Sequence, residues 1–357
     1  MAQRLALVDK TKPYPLAVAS PTDFRWSGEI EVDPQLVVTD PGYSLYCLDH
    51  DNRRALFTRT GTDLSRVPFL FQTQYADATD LVALSYAELH ALRTPAEPSG
   101  VFLYSTGRCG STLVAAALAE CGGLTGLSEP DVLTQLVMLG RRIGEPELRE
   151  LARSCVRVLA RGRPVVIKPR SFVVELGSLL HDEFPHFASV FLYREPQAWG
   201  ESAARAFDGY DPALVSDPGG VQDRLGVLMP LLAERRRRLR RLLTAEEVLA
   251  SMWVSHVEHA MALRHRGVDL FTTSYEEIAA DPQVVLSALF QHCGLPAPAD
   301  LDEILARDSQ SGTPLSRAAT WSDGRTPRFD ETALARAVAD LWIETLRVET
   351  PRFATLR

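Results

Sequence analysis

The stretch VFLYSTGRCGSTL, residues 101 to 113, constrains this chain more than any other. An apolar run of strand length ends in a short loop, and the apolar pattern VAAAL behind it starts a helix. A parallel strand that turns so sharply needs glycines, which adopt positive φ without a Cβ clash. The turn leaves backbone N–H groups and a helix N-terminus facing one point, where unpaired donors and the helix dipole favour an anion. Ser111 and Thr112 add hydroxyl donors, and Arg108 offers a planar fork that matches phosphate oxygens. The candidate anion-binding residues are therefore Thr106, Gly107, Arg108, Cys109, Gly110, Ser111 and Thr112. Cys109 reads as a small side chain that fits the loop, because no sequence neighbour would activate a thiol nucleophile. The plainer alternative is a glycine-rich turn capped by Ser or Thr.

Downstream, strands alternate with helices. PVVIKP (164–169), ASVFLYR (188–194) and VDLFTTSYEEI are strand patterns. Helical patterns lie near 110–121, 129–141, 146–160, 172–181, 221–243, 246–265, 282–293 and 331–346. This alternation predicts an α/β fold, three αβα layers around a central parallel sheet. Residues 1–96 read differently. GEIEVDPQLVVTD, YSLYCLDH and RRALFTRT suggest short strands, TDLVALSYAELHAL a helix, and RTPAEPSG a linker. Two regions are expected: an N-terminal accessory region, 1–96, and a core domain, 97–357. Within the core, the polar stretch 308–328 is long enough for a closing loop.

Bulk properties exclude several classes. A net charge of -8 argues against nucleic acid as a main partner. No apolar run approaches the roughly 20 residues that span a bilayer, and no signal-peptide pattern is present, so a cytoplasmic protein is expected. The five cysteines form no metal-ligand spacing, so no metal site is expected. The run ERRRRLRRLL reads mainly as a solvated helix face. Only three lysines occur, and Lys168 ends an apolar strand, an odd place for a charge.

The nucleoside-triphosphatase loop GxxxxGK[ST] has a lysine just before its hydroxyl residue. This chain has none there, which weakens an ATP-dependent phosphotransferase reading. YSTGRCGSTLVAAAL instead resembles the 5′-phosphosulfate loop of sulfotransferases that use 3′-phosphoadenylyl sulfate (PAPS). A second motif is similar to that family's 3′-phosphate site: VFLYREPQAWGES has Arg194 at the end of a strand, then Pro196, then Ser202 eight residues after the arginine. Ligands of open parallel sheets bind at the carboxyl ends of strands, where Arg194 would lie. The resemblance runs over roughly residues 100 to 295. It implies that Arg108, Gly110, Ser111 and Thr112 surround the 5′-phosphate and sulfuryl group. It gives Arg194 and Ser202 the 3′-phosphate, and Lys168 the charge on the sulfate. TTSYEEIAADPQVVLSALFQHCGLP resembles a late family region and is assigned to architecture, with Tyr275 to Ile278 holding a strand–helix corner.

The implied reaction is in-line attack by an acceptor hydroxyl or amine on sulfur, with 3′,5′-ADP leaving. The charge falls to Lys168, Arg108 and the loop N–H groups. An alcohol also needs a base. The histidine that many soluble members carry two residues after the strand lysine is replaced here by Arg170. Glu129, in LTGLSEPDVLTQL, is the candidate base, with Asp131 as a local substitute and His50 and His256 as remote ones. The competing view is that Ser128 caps the helix, Pro130 takes its first position and Glu129 only favours its dipole. Arg317, Arg325 or Arg328, with Ser316, are candidates to close over the 3′-phosphate. The acceptor is open: a small molecule, a carbohydrate or a carrier-bound metabolite. Tyr46, Phe69, Phe71, Tyr75, Phe207, Tyr210 and Trp321 are candidate pocket aromatics, although core packing explains most aromatics. A non-catalytic nucleotide-binding or protein-interaction module is the other alternative.

Overall fold

The computed structural model describes residues 1–207, 216–298, 301–308, 310–311 and 330–346. It contains two five-stranded sheets. One is antiparallel, in the order Phe24–Glu31, Gln3–Lys10, Asp80–Ser85, Arg54–Arg59, Tyr43–Asp49; the other is parallel and flanked by helices, in the order Leu270–Ser274, Ala188–Tyr193, Ser99–Ser105, Pro164–Lys168, Thr125–Ser128. The α/β class expected from the alternation is the one observed, with a β-rich N-terminal part. The chain divides into two compact units: Met1–Phe102, Leu118–Arg170 and Leu179–Phe187 form the first, and Leu103–Ala117, Ser171–Ser178 and Ala188–Arg357 the second.

In the first unit, β1 (Gln3–Lys10), β2 (Phe24–Glu31), β3 (Tyr43–Asp49), β4 (Arg54–Arg59) and β5 (Asp80–Ser85) make the antiparallel sheet. Leu5, Phe24, Tyr46, Cys47, Leu56 and Leu81 are among its buried core. Two of the expectations fail here. TDLVALSYAELHAL is not one helix: Asp80–Ser85 is a strand paired with both β1 and β4. Leu81 to Leu84 are all buried because the strand is central, and such an unbroken apolar run has no period to separate strand from helix. The helix Tyr86–Ala91 starts only at the Ser85/Glu88 capping box. Conversely, Leu36–Thr39, expected within a strand, is a single helical turn.

The first unit also includes β7 (Thr125–Ser128), β8 (Pro164–Lys168) and the first part of β6 (Ser99–Ser105), strands of the parallel sheet. β6 pairs β8 and β7 pairs β8, both in parallel. Gly100 has φ 149°, and a Cβ there would come within 1.8 Å of the Val165 carbonyl, so only glycine lets β6 and β8 approach. β7 was not expected from the sequence. At four residues it is too short to show a pattern.

The second unit holds β9 (Ala188–Tyr193) and β10 (Leu270–Ser274), paired in parallel. The helices Pro196–Phe207, Ala245–His265 and Glu331–Leu346 belong to it. The longest begins at a Thr244/Glu247 capping box, and its Trp253 ring lies 6.0 Å from that of Trp342. The helix expected over 221–243 is two, Pro218–Leu228 and Pro230–Leu239, because Pro230 has no N–H to continue the first. Among the described residues no helix is long and apolar enough to cross a membrane. Of the expected closing loop only residues 308, 310 and 311 are described; Ser316, Arg317, Arg325 and Arg328 lie outside the described residues, as do Tyr210 and Trp321.

His256 sits in the middle of Ala245–His265, fully buried, with neither ring nitrogen hydrogen-bonded among the described residues. The Phe172 ring meets it edge-on, with centroids 5.6 Å apart. Burial lowers its pKa from 6.5 to about 3, with a smaller push from His259. The unfolded chain therefore binds a proton near pH 6.5 that the folded protein refuses. The stabilisation is present above pH 6.5 and is lost as pH falls toward 3, on the order of a few kcal/mol in full. Thermal unfolding should show a lower Tm at pH 5 than at pH 7, and His256→Leu should remove a large part of that difference. An unchanged difference in the variant would show that other groups set the acid sensitivity.

Candidate functional site

Five residues separate β6 from the helix Ser111–Glu120, and Gly107 (φ 74°), Arg108 (φ 53°) and Gly110 (φ 80°) all have positive φ. For arginine this conformation is costly, by roughly 1–2 kcal/mol, and such strain persists where the surroundings impose it. The surroundings are specific. The Thr106 amide donates to the Leu192 carbonyl at 2.9 Å, and the Trp199 indole donates to the Thr106 carbonyl at 3.1 Å. Cys109 is buried, and its Sγ donates to the same Leu192 carbonyl, so the thiol anchors the loop and does not face solvent. The Gly107 amide donates to Ser105 Oγ at 3.2 Å, and the Ser105 hydroxyl lies 3.4 Å from Ser111 Oγ.

The loop's cation is aimed at the second motif. Arg108 Nε donates to Ser202 Oγ at 3.3 Å, and Nη1 donates to Gln310 Oε1 at 2.9 Å. Both acceptors are neutral groups. Arg194 follows β9, as expected. Its guanidinium carbon lies 4.6 Å from the centroid of the Tyr275 ring, and its Nε is 3.8 Å from Glu276 Oε1. That Nε is buried and makes no hydrogen bond among the described residues. The Trp253 indole donates to the Arg194 carbonyl at 2.9 Å and fixes the end of β9. Tyr275 also reaches the loop, because a Cβ on Gly110 would stand 3.3 Å from its ring. Burial, with Glu276 nearby, raises the Glu195 pKa above the ordinary carboxylate range.

In the first unit, Lys168 ends β8 with its side chain 3% exposed and gives its Nζ to Glu129 Oε1 at 2.7 Å. The Glu129 amide donates to the Lys168 carbonyl at 2.6 Å, and Glu129 has φ 57°. The helix beyond begins at Asp131, with Pro130 in the cap position and no side-chain cap. The expectation that Ser128 caps it and that Pro130 opens it is therefore corrected: Ser128 is the last residue of β7. Asp131 is fully buried, and desolvation raises its pKa against the opposing pull of Arg170.

Other expectations sort differently. His50 has the Tyr86 hydroxyl as partner at 3.4 Å, and His256 is sealed in its helix. Tyr46, Phe69 and Phe71 are buried in the core; the rings of Tyr46, Phe71 and Tyr75 surround the Lys12 ammonium at 5.5–5.8 Å. In the arginine run, Arg236 pairs with Asp223 and Arg241 with Glu247. Sequence reasoning missed Ser105, Tyr275 as a site residue, and Gln310. A hydroxyl closing the strand before the loop was a signal for the first; the others are remote in sequence from the motifs they touch.

A loop of N–H groups, two guanidinium groups and hydroxyls is the donor set that a ligand with two phosphate groups would need. No protein-family model and no curated protein matches this sequence. Among solved structures, the chain is similar to the sulfotransferase domain from the curacin biosynthetic pathway, at 15% identity over 73% of this chain and 96% of that one, with a TM-score of 0.39. It is also similar to sulfotransferases from Mycobacterium avium (15% identity, 73% and 78% covered, TM-score 0.42) and Mycobacterium tuberculosis H37Rv (12%, 71% and 79%, TM-score 0.42).

The loop geometry has a direct test. Gly110→Ala adds a Cβ at positive φ against the Tyr275 ring, whereas Gly123→Ala adds one at φ 68° with nothing within 4 Å. Each should lose about 1 kcal/mol for the backbone conformation, and Gly110→Ala should lose measurably more. Equal losses by denaturant unfolding would mean that Tyr275 does not hold the loop.

Proposed function

We propose that this protein is a PAPS-dependent sulfotransferase, transferring a sulfuryl group to a hydroxyl or amine of a small-molecule, carbohydrate or carrier-bound acceptor in the cytoplasm. The observation that supports it most is the pair of guanidinium groups. Arg108 is turned by a strained loop onto Ser202, and Arg194 is laid over Tyr275 with a buried, unbonded Nε. Two guanidinium groups suit a donor that carries a phosphate at each end.

When bound, PAPS supplies a sulfuryl group on a phosphate that departs as 3′,5′-ADP. The protein's part is to bind, orient and balance charge. The loop N–H groups, with Thr106, Gly107, Arg108, Cys109, Gly110, Ser111 and Thr112, take the 5′-phosphate end. Arg194 and Ser202 take the 3′-phosphate, and the Arg108–Ser202 hydrogen bond ties the two sets together. Lys168 and Arg108 meet the negative charge that grows in the transition state. Glu129 accepts the acceptor's proton.

Calorimetric titration tests the donor. The protein should bind 3′,5′-ADP with micromolar affinity and discriminate against ATP and 5′-AMP. Arg194→Ala and Arg108→Ala should each weaken 3′,5′-ADP by tenfold or more, the loss expected of a charge-assisted pair (about 1.4 kcal/mol per tenfold). Binding of ATP in preference to 3′,5′-ADP would replace this reading with a phosphotransferase. Tight 3′,5′-ADP binding with no turnover of PAPS would leave a nucleotide-binding module.

A further inference from the structure

Arg170 stands two residues beyond Lys168, and its guanidinium is held by Leu16, Asp131 and Phe71, with Nε buried and without a hydrogen bond among the described residues. Nη1 donates to the Leu16 carbonyl at 2.8 Å. Nη2 donates to Asp131 Oδ2 at 3.3 Å, and Nε lies 3.0 Å from Asp131 Oδ1. The Phe71 ring centroid is 4.0 Å from the guanidinium carbon. Asp131 in turn accepts the Ala19 amide at 2.6 Å. Leu16 and Ala19 lie on the connection between β1 and β2, which is pinned by Lys12 to Asp23 at 2.9 Å and by the Tyr46 hydroxyl on the same carboxylate.

Burying an arginine and a carboxylate together gains little net stability, since desolvation offsets most of their attraction. The pair therefore needs another reason, and its remaining neighbour gives one. Glu129 Oε1 is taken by Lys168 at 2.7 Å, whereas Oε2 stands 4.0 Å from Arg170 Nε. That is close enough for a fixed charge to orient the carboxylate and too far for a hydrogen bond to occupy the oxygen. A general base needs an oriented oxygen with a free lone pair. We propose that Arg170 is the positioning residue for Glu129, that it leaves Oε2 as the proton-accepting oxygen, and that the β1–β2 connection holds it in place through Leu16 and Ala19. This rests on the sulfotransferase reading. It makes the N-terminal sheet part of the base's support.

The test has two arms. In the ligand-free protein, Asp131→Asn and Arg170→Met should each speed hydrogen exchange of the Ala19 amide tenfold or more; unchanged protection overturns the clamp. In the second arm, 3′,5′-ADP release from saturating PAPS is followed with water as acceptor. Arg170→Met should slow release roughly tenfold, a part of the 10²–10⁴ that a placed base supplies. Its KM for PAPS and its calorimetric affinity for 3′,5′-ADP should stay within twofold of the parent, and Arg170→Lys should recover part of the rate. In a Glu129→Gln background the same substitution should change the rate less than twofold, because a residue acting through Glu129 has nothing left to position. Equal losses in both backgrounds, or no loss in either, overturn the proposal. Should Arg170→Met fail to fold, the near-isosteric Asp131→Asn runs the same cycle. A parent that binds no 3′,5′-ADP, or binds it and releases none from PAPS, fails the sulfotransferase reading itself and takes this inference with it.

Discussion

Between Ser105 and Ser111 the chain must leave a strand, pass three residues at positive φ and enter a helix, all within five residues. Glycine meets that demand at two positions, but Arg108 does not, and its conformation persists only because its neighbours hold it. The Leu192 carbonyl accepts from both the Thr106 amide and the Cys109 thiol, and the Trp199 indole donates to the Thr106 carbonyl. These anchors hold the loop, and the Arg108 side chain donates to Ser202. The second unit's candidate site follows from this turn, including the Tyr275 ring that packs against Gly110 and under Arg194.

The first unit solves a different problem, that of keeping charge inside. Two of the three lysines in the chain are buried in ion pairs, Lys12 with Asp23 and Lys168 with Glu129, and Arg170 with Asp131 makes a third such pair. A charge left alone there would be far costlier than the pairs are. Each pair also bonds to backbone: Asp23 accepts the Ser20 amide, Asp131 the Ala19 amide, and Lys168 and Glu129 are joined through their own main chain. The result is a rigid polar network running from the β1–β2 connection to the end of β8.

The residues proposed to carry the chemistry stand in local patterns. The strand–glycine–helix pattern around 101–113, the Arg194 to Ser202 spacing and a lysine closing an apolar strand each declare themselves within a dozen residues. Elements lacking such a signal were misread. Asp80–Ser85 is an apolar run whose identity as a strand depends on having β1 and β4 on either side. β7 is four residues, and Ser128 ends it where a helix cap was expected. Gln310 meets Arg108 across about 200 positions of sequence, a pairing no local pattern encodes.

By itself, then, the sequence determined the α/β class, the glycine-bearing turn between strand and helix and the residue types gathered near it, because strand and helix periodicity and glycine's conformational freedom act over a few neighbours. Only the tertiary structure decided which oxygen of Glu129 is held and which is left open, that Tyr275 serves as a platform for Arg194, and that Arg170 is bound by the N-terminal connection. Those are matters of distance between segments far apart in the chain. Electrostatic and packing energies depend on that distance, and sequence separation does not measure it.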